Sequence, residues 1–337
     1  MIDPTLDRAQ RLVSGFRGFQ ILVTACRLKL PDLLATGPKT AEELASATDT
    51  HAPSMRRLLR GLAAWEIVAE KGDGRFEATA LSDMFRADKP GLRRNAVMLS
   101  EEGYTVWGEL SAVIRTGEPA FERLYGKPRW EMLGENPEAA AVFNAAMVEM
   151  STRVAASLIA SYDFSPIRTA ADVGGGNGAL LAAILKANHG IHGTVVDLAA
   201  GLAGAEEVMA EAGVDGRVTL VESSFFESVP PGADLYLLKS IVHDWEDERA
   251  VDILRVCRRA MAGSSKLLLV ERDLPEHIDN PSAALPTVMS DIHMMVLLGG
   301  MERTQSQYAQ LLHAAGMRMT RKIPLAHDFA AFEAVSA

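Results

Sequence analysis

The chain has 337 residues, 48% hydrophobic and 23% charged, with a formal net charge of −10. Its length exceeds a typical domain of ~100–200 residues, so two domains are expected. The acidic balance, with no dense basic block, disfavours a protein that works by neutralising nucleic-acid phosphates, and no apolar run reaches the ~18–20 residues that span a bilayer.

In chain order, residues 11–35 form an apolar-rich helical stretch expected to end near Pro31, where the missing N–H punctuates a helix. The opening MIDPTLDRAQ lacks the basic-then-apolar order of a secretory signal, so a cytoplasmic location is expected. Thr40 and Glu43 in TAEEL have capping-box spacing, each side chain able to satisfy a backbone N–H at the start of a short helix. A helix over about 53–65 precedes IVAEKGDGRFEAT, which reads as two strands around the turn Gly72-Asp73-Gly74. Helix, helix and β-wing suggest a winged-helix module, yet in so acidic a chain Arg56, Arg57 and Arg60 are read as a solvated face, and no nucleic-acid partner is expected.

Further helices are expected over about 100–116 and from Asn136-Pro137 to about 160, where Asn caps and Pro suits the first helical position. From residue 169 short apolar runs alternate with helical stretches, the pattern of a parallel sheet with crossover helices. The candidate strands are 169–173, 193–197, 218–221, 234–238 and 266–270, followed by two antiparallel strands over 317–323 and 328–335. Thr304 and Gln307 form a second capping box. Cys26 and Cys257 are too few for a disulfide framework and lack metal-ligand spacing, so no metal is expected.

TAADVGGGNGALLAAIL places Gly174, Gly175, Gly176 and Gly178 between the first strand and its helix, where missing Cβ atoms let the chain turn tightly and approach a ligand. Read as G-x-G-x-x-A through Gly174, Gly176 and Ala179, the loop equally fits a dinucleotide fingerprint. Asp197, followed by Leu198 at the end of the second strand, is placed to accept ribose hydroxyls, which any nucleoside cofactor offers. These residues say nucleoside and leave its identity open.

ADVGGGNG, VVDLA, FFESVP, LKSIVHDWEDE, LLLVE and GGMERT occur in an order and spacing that resembles small-molecule O-methyltransferases of the plant caffeic-acid type and their bacterial secondary-metabolite relatives. The resemblance covers nearly the whole chain. It implies an α/β fold: a doubly wound, Rossmann-like methyltransferase domain over 166–337, linking helices that line the acceptor pocket over 101–165, and a helical and winged-helix dimerisation domain over 1–100. It implies S-adenosyl-L-methionine as cofactor, a small-molecule acceptor and a homodimer. Gly174, Gly176, Asp197 and Leu198 would hold the amino-acid and ribose portions, Phe225 and Trp245 would flank the adenine, Lys239 would lie near that ring, and Ser151 would meet the methionine carboxylate. Where many relatives carry Gly-Asp, this chain has Ser223-Ser224, so Ser224 would meet the adenine as an uncharged hydrogen-bond acceptor.

Methyl transfer from a sulfonium needs alignment and the removal of one proton. His243 follows a strand's carboxyl end, and an ordinary imidazole with pKa near ~6.5 is largely neutral at pH 7. By the resemblance His243 is the general base, Glu271 and Glu302 bracket its ring, and Asp244 either assists or holds the loop. Phe143, Asn144, Met147, His293 and Met294, with the stretches 98–107 and 289–298, would form the acceptor pocket. The expected reaction is methylation of a phenolic or enolic hydroxyl of a secondary metabolite. N-methylation, a relative that has lost methyl transfer, a nicotinamide oxidoreductase and a winged-helix ligand sensor remain as alternatives.

Overall fold

The structure is a computed structural model describing residues 3–89 and 91–337. It has two compact units, Met1–Tyr104 and Thr105–Ala337. The first holds α1 (Pro4–Arg27), α2 (Leu30–Leu34), α3 (Ala41–Ala47), α4 (Ala52–Ala64), β1 (Val68–Glu70), β2 (Phe76–Ala78), α5 (Ala80–Asp83) and α6 (Arg93–Met98). The single helix expected over 11–35 is two. Lys29 adopts φ 56° and breaks the chain direction, and Pro31 opens α2 instead of closing α1. Its missing N–H falls in a first turn, where it needs no partner.

The capping box of α3 is present, with Glu43 N–H donating to Thr40 Oγ1 and Thr40 N–H to Glu43. Leu30, Leu34, Leu44, Leu59, Leu62 and Phe76 form this unit's core. Gly18 lets α1 lie against Trp65, whose ring would stand 2.7 Å from any added Cβ. Arg56, Arg57 and Arg60 are exposed, and Arg60 sits 3.6 Å from Glu70.

A π turn, Leu99–Gly103, leads into α7 (Tyr104–Trp107) and α8 (Leu110–Thr116), so the helix expected over 100–116 is interrupted at that turn and again at Gly108-Glu109. There follow α9 (Ala120–Tyr125), α10 (Arg129–Glu135) and α11 (Pro137–Ser161). Asn136 caps α11 as expected, accepting from Ala139 N–H.

The second unit then alternates β3 (Thr169–Val173), α12 (Ala179–Ala187), β4 (His192–Asp197), α13 (Ala205–Ala212), β5 (Val218–Glu222), β6 (Leu235–Lys239), α14 (Asp247–Ala260), β7 (Lys266–Arg272), α15 (Pro281–Leu297), α16 (Gln305–Ala314), β8 (Met317–Pro324) and β9 (Phe329–Ser336). The strand order is β5-β4-β3-β6-β7-β9-β8. The first five pair in parallel, while β9 runs antiparallel to β7 and β8 to β9. β3, β6, β7 and β9 are buried on both faces, which explains why short apolar runs located them. One core lies between the sheet and α14 and α16, the other between the sheet and α11 and α12.

The antiparallel edge is tied by Glu333, which accepts from Tyr162 Oη, Lys266 Nζ, Thr320 Oγ1 and Arg321. Burial pushes its carboxyl up, but these donors prevail and hold it at about 2. Where the order reverses, between β3 and β6, the carboxyl ends of the strands open the crevice that such sheets use for ligands.

Candidate active site

The glycine loop after β3 has φ of 71° at Gly174, 58° at Gly176 and 76° at Gly178, a region that glycine alone adopts cheaply. Gly174 also has no room for a side chain, since a Cβ would stand 2.4 Å from Ile241 and 3.3 Å from Phe225. Asp197 ties this loop from β4: Oδ2 accepts from Gly176 N–H at 2.8 Å and Oδ1 from Leu198 N–H at 2.7 Å. Burial raises its pKa against those two donors.

Asp172, which sequence reasoning passed over, lies buried beneath the same loop with Oδ2 unpartnered among the described residues. Burial, then the neighbouring Asp197, lifts it to about 7. An acid one residue before the strand's end in ADVGGG was the available signal. Two carboxylates beside a glycine loop suit a ligand with a cationic end and disfavour a pyrophosphate at this helix start.

Phe225, Phe226 and Trp245 cluster next to the loop, with Trp245 edge-on to Phe226 at 4.8 Å and to Phe225 at 6.3 Å, and the Arg249 guanidinium 3.9 Å from the Phe226 ring centroid. Ser224 Oγ accepts from Phe226 N–H at 3.3 Å, so its hydroxyl already stabilises this turn. Lys239 faces elsewhere. Side chains alternate along β6, and Lys239 shares the face of Leu235 and Leu237, with its ammonium 5.9 Å from the Phe329 ring, while Phe225 and Trp245 pack on the opposite core. Burial lowers Lys239 to about 8 against the pull of Glu271 and Asp172.

His243 sits in a 3₁₀ turn, Val242–Asp244, just beyond β6. Nδ1 lies 3.1 Å from Glu302 Oε1 and 3.8 Å from Glu271 Oε2, and Nε2 lies 3.4 Å from Asp244 Oδ1. Glu271, fully buried at the end of β7, accepts from the N–H groups of Ile241 and Val242, holding the turn from below. Glu302 Oε1 also accepts from Ser290 Oγ at 2.7 Å, and its N–H donates to Asp291.

Burial favours neutral imidazole, yet Glu302, Asp244 and Glu271 together raise His243 to about 10. This departs from the near-neutral value assumed from the sequence, because three carboxylates act on one ring. Burial, opposed by His243, raises Glu271 to about 7. For Glu302 burial pushes upward, but the His243 charge and hydrogen bonds from His243 and Ser290 hold it low. Ligand atoms of His243, Glu271 and Glu302 lie within 4.8 Å of one another, close enough to hold a cation. Their hydrogen bonds to the turn, the imidazole and Ser290 equally suit a proton-handling cluster.

Sequence reasoning missed the residue that holds this turn most firmly. Arg303, fully buried, donates to the carbonyls of Val242 at 2.9 Å and Trp245 at 2.8 Å and to Asp247 at 3.0 Å. Met301 N–H donates to His243 O, and Gly300 lies so close that a Cβ would stand 2.1 Å from that oxygen. GGMERT is thus a cradle for the HDW turn as well as the source of Glu302.

On the helices, Phe143, Met147 and Ser151 fall on one stripe of α11 at four-residue spacing, and Ser151 is buried. The Arg129 guanidinium covers the Phe143 ring at 4.5 Å. Asn144 donates to Ala200 O in the loop after β4. On α15, Met294 is buried, and His293 accepts at Nδ1 from Trp107 Nε1–H at 2.9 Å.

The sequence matches the O-methyltransferase domain over residues 107–318 and the O-methyltransferase dimerisation domain over residues 10–88. It is 38% identical over 325 residues to a phenazine O-methyltransferase of Lysobacter antibioticus, covering 96% of this chain and 94% of that one. It is 34% identical over 326 residues to aclacinomycin 10-hydroxylase of Streptomyces purpurascens, covering 93% and 86%. An O-methyltransferase from neocarzinostatin biosynthesis, solved with S-adenosylmethionine and 2-hydroxy-5-methyl naphthoic acid, superposes with a TM-score of 0.83 at 32% identity over 95% of this chain and 96% of that one. The chain therefore belongs to the O-methyltransferase family and is an enzyme that uses S-adenosylmethionine.

Proposed function

We propose that the protein methylates a phenolic or enolic hydroxyl of a small secondary metabolite, with His243 Nε2 as the general base. The observation that carries this is the His243 ring, set between Glu302 and Asp244 at the sheet's carboxyl edge beside the glycine loop. The bound cofactor supplies an activated methyl on a sulfonium. Gly174, Gly176, Asp197 and Leu198 hold its ribose and amino-acid portions, and Asp172 offers its orphaned oxygen to the ammonium. Phe225, Trp245 and Ser224 frame the adenine, while Lys239, on the opposite face, and Ser151 are better placed for the carboxylate end. Phe143, Met147, His293 and Met294 line the acceptor side, and Asn144 braces the loop after β4.

With only protein groups around it the imidazole carries a proton at neutral pH. Once deprotonated, Nε2 accepts the hydroxyl proton, and the positive charge of a bound sulfonium would favour that neutral form against the three carboxylates. Glu302 at Nδ1 and Asp244 at Nε2 then stabilise the imidazolium. We read the cluster as working without a metal, the chain as a cytoplasmic homodimer with no nucleic-acid partner, and the ranges 1–100, 101–165 and 166–337 as its division by role.

The likeness to a hydroxylase keeps a non-methylating reading in view. Methyl transfer from labelled S-adenosylmethionine to a library of hydroxylated aromatics tests the proposal. Label in an ether supports it; cofactor binding with no transfer to any hydroxyl favours the non-methylating reading.

A further inference from the structure

On α15, Ser290 donates to Glu302 and Asp291 accepts from the Glu302 N–H; His293 and Met294 follow one turn along the helix, and His293 lies near enough to His243 and Glu302 to feel their charges. His293 is not free to choose its protonation. The Trp107 indole N–H can only donate, and it does so to His293 Nδ1 at 2.9 Å, with the two ring planes only 17° apart, as an in-plane N–H···N bond requires. A proton on Nδ1 would set two donors against each other, so Nδ1 stays bare and the hydrogen sits on Nε2. The surroundings agree: burial, followed by the positive charges of Arg129 and His243, lowers His293 to about 4. The ring therefore offers one uncharged N–H beside a base that removes a proton from a neighbouring oxygen.

We propose that His293 determines acceptor specificity: locked by Trp107 as a neutral Nε2–H donor, it selects acceptors carrying a carbonyl-type oxygen near the hydroxyl to be methylated. The inference rests on the methyl-transfer reading above. A second hydroxyl can satisfy such a donor only through its lone pairs while its own proton seeks a further partner. A ketone or quinone oxygen matches the donor with nothing left over. An acceptor presenting an N–H or ammonium at this place meets a donor and nearby cations, and is rejected.

Two measurements test it. In holoenzyme carrying S-adenosylhomocysteine and nitrogen-15 histidine, the His293 signals, assigned by their loss in His293→Gln, should show a protonated Nε2 and a bare Nδ1. Trp107→Phe should release that preference. A proton on Nδ1 in the wild type overturns the proposal. In the second measurement three acceptors are compared: 1-naphthol, 1-hydroxy-2-acetonaphthone and 1-hydroxy-2-naphthoic acid. The ketone should exceed 1-naphthol in kcat/KM by ~10-fold, the worth of about one hydrogen bond. His293→Phe should erase that margin through KM while S-adenosylhomocysteine affinity holds, and His293→Gln, which keeps an N–H, should restore part of it. Equal use of ketone and naphthol by the wild type, or a preference that survives His293→Phe, overturns the proposal, as does preference for the acid alone, which would assign selection to charge. The tautomer is read with no acceptor present, so failed methyl transfer sinks the underlying reading while the nitrogen spectrum still judges His293.

Discussion

Burial alone would keep the His243 imidazole neutral, and Glu302 at 3.1 Å, Asp244 at 3.4 Å and Glu271 at 3.8 Å reverse that. A raised base works only in its deprotonated form, so activity should rise with pH through the neutral range and level off above the base's pKa. Replacing Glu302 by Gln removes one negative neighbour. The His243 pKa then falls, and the rising limb of the kcat/KM profile should move to lower pH even as the maximum declines. An unmoved limb would assign the titration to another group. His243→Ala should cost ~10²–10⁴-fold in turnover with S-adenosylhomocysteine affinity nearly unchanged. Ser224 poses a separate question, because its hydroxyl holds the Phe226 N–H. An Asp there can keep that bond and still offer a second oxygen to the adenine. Ser224→Asp is expected to tighten cofactor binding by ~1 kcal/mol in calorimetry, and weaker binding would mean the pocket has repacked around the serines.

Among the elements, legibility followed burial. The central strands β6 and β7 stood out because both faces of the sheet are covered there and their runs are mostly apolar, whereas the edge strand β8 is largely polar and exposed. The capping boxes of α3 and α16 stood out because the chemistry is local to four residues. The break at Lys29 left no comparable mark, since a lysine and not a glycine holds the positive φ, and the π turn at Leu99–Gly103 interrupts the helix with a glycine only at its last residue. His243, Glu271 and Glu302 were legible only as separate motifs. Arg303 and Gly300 show why: besides the Glu302–His243 contact, what joins GGMERT to HDW runs through the backbone carbonyls of Val242, His243 and Trp245, and a carbonyl has no letter in the sequence. Gly300→Ala puts a methyl against the His243 oxygen, a collision no rotamer relieves. Overpacking of this kind costs ~1–3 kcal/mol. The variant should melt earlier in calorimetry and lose turnover beyond what its folded fraction explains, with cofactor affinity largely kept. Full turnover in a folded Gly300→Ala protein would show that the cradle does not position the base.

For the whole molecule the open question is assembly, and α1 makes it answerable. Leu12 and Val13 are 76% and 75% exposed and Phe16 is 53% exposed, an apolar stripe at i, i+1, i+4 within the span that matches a dimerisation domain. Single exposed apolar residues are ordinary, but three on one helix face favour cover by another chain. Deleting residues 1–35 is a poor test, since Leu30 and Leu34 belong to the core of the first unit and their loss would unfold it. Leu12→Asp with Phe16→Asp changes the stripe and leaves that core intact. The paired substitution is expected to convert a dimer to a monomer in light scattering while thermal unfolding of the second unit is unaffected. Retention of the dimer would place the interface elsewhere. A monomer with full turnover would show that each chain completes its own chemistry, and a monomer with raised acceptor KM but unchanged S-adenosylhomocysteine affinity would tie assembly to the acceptor side alone.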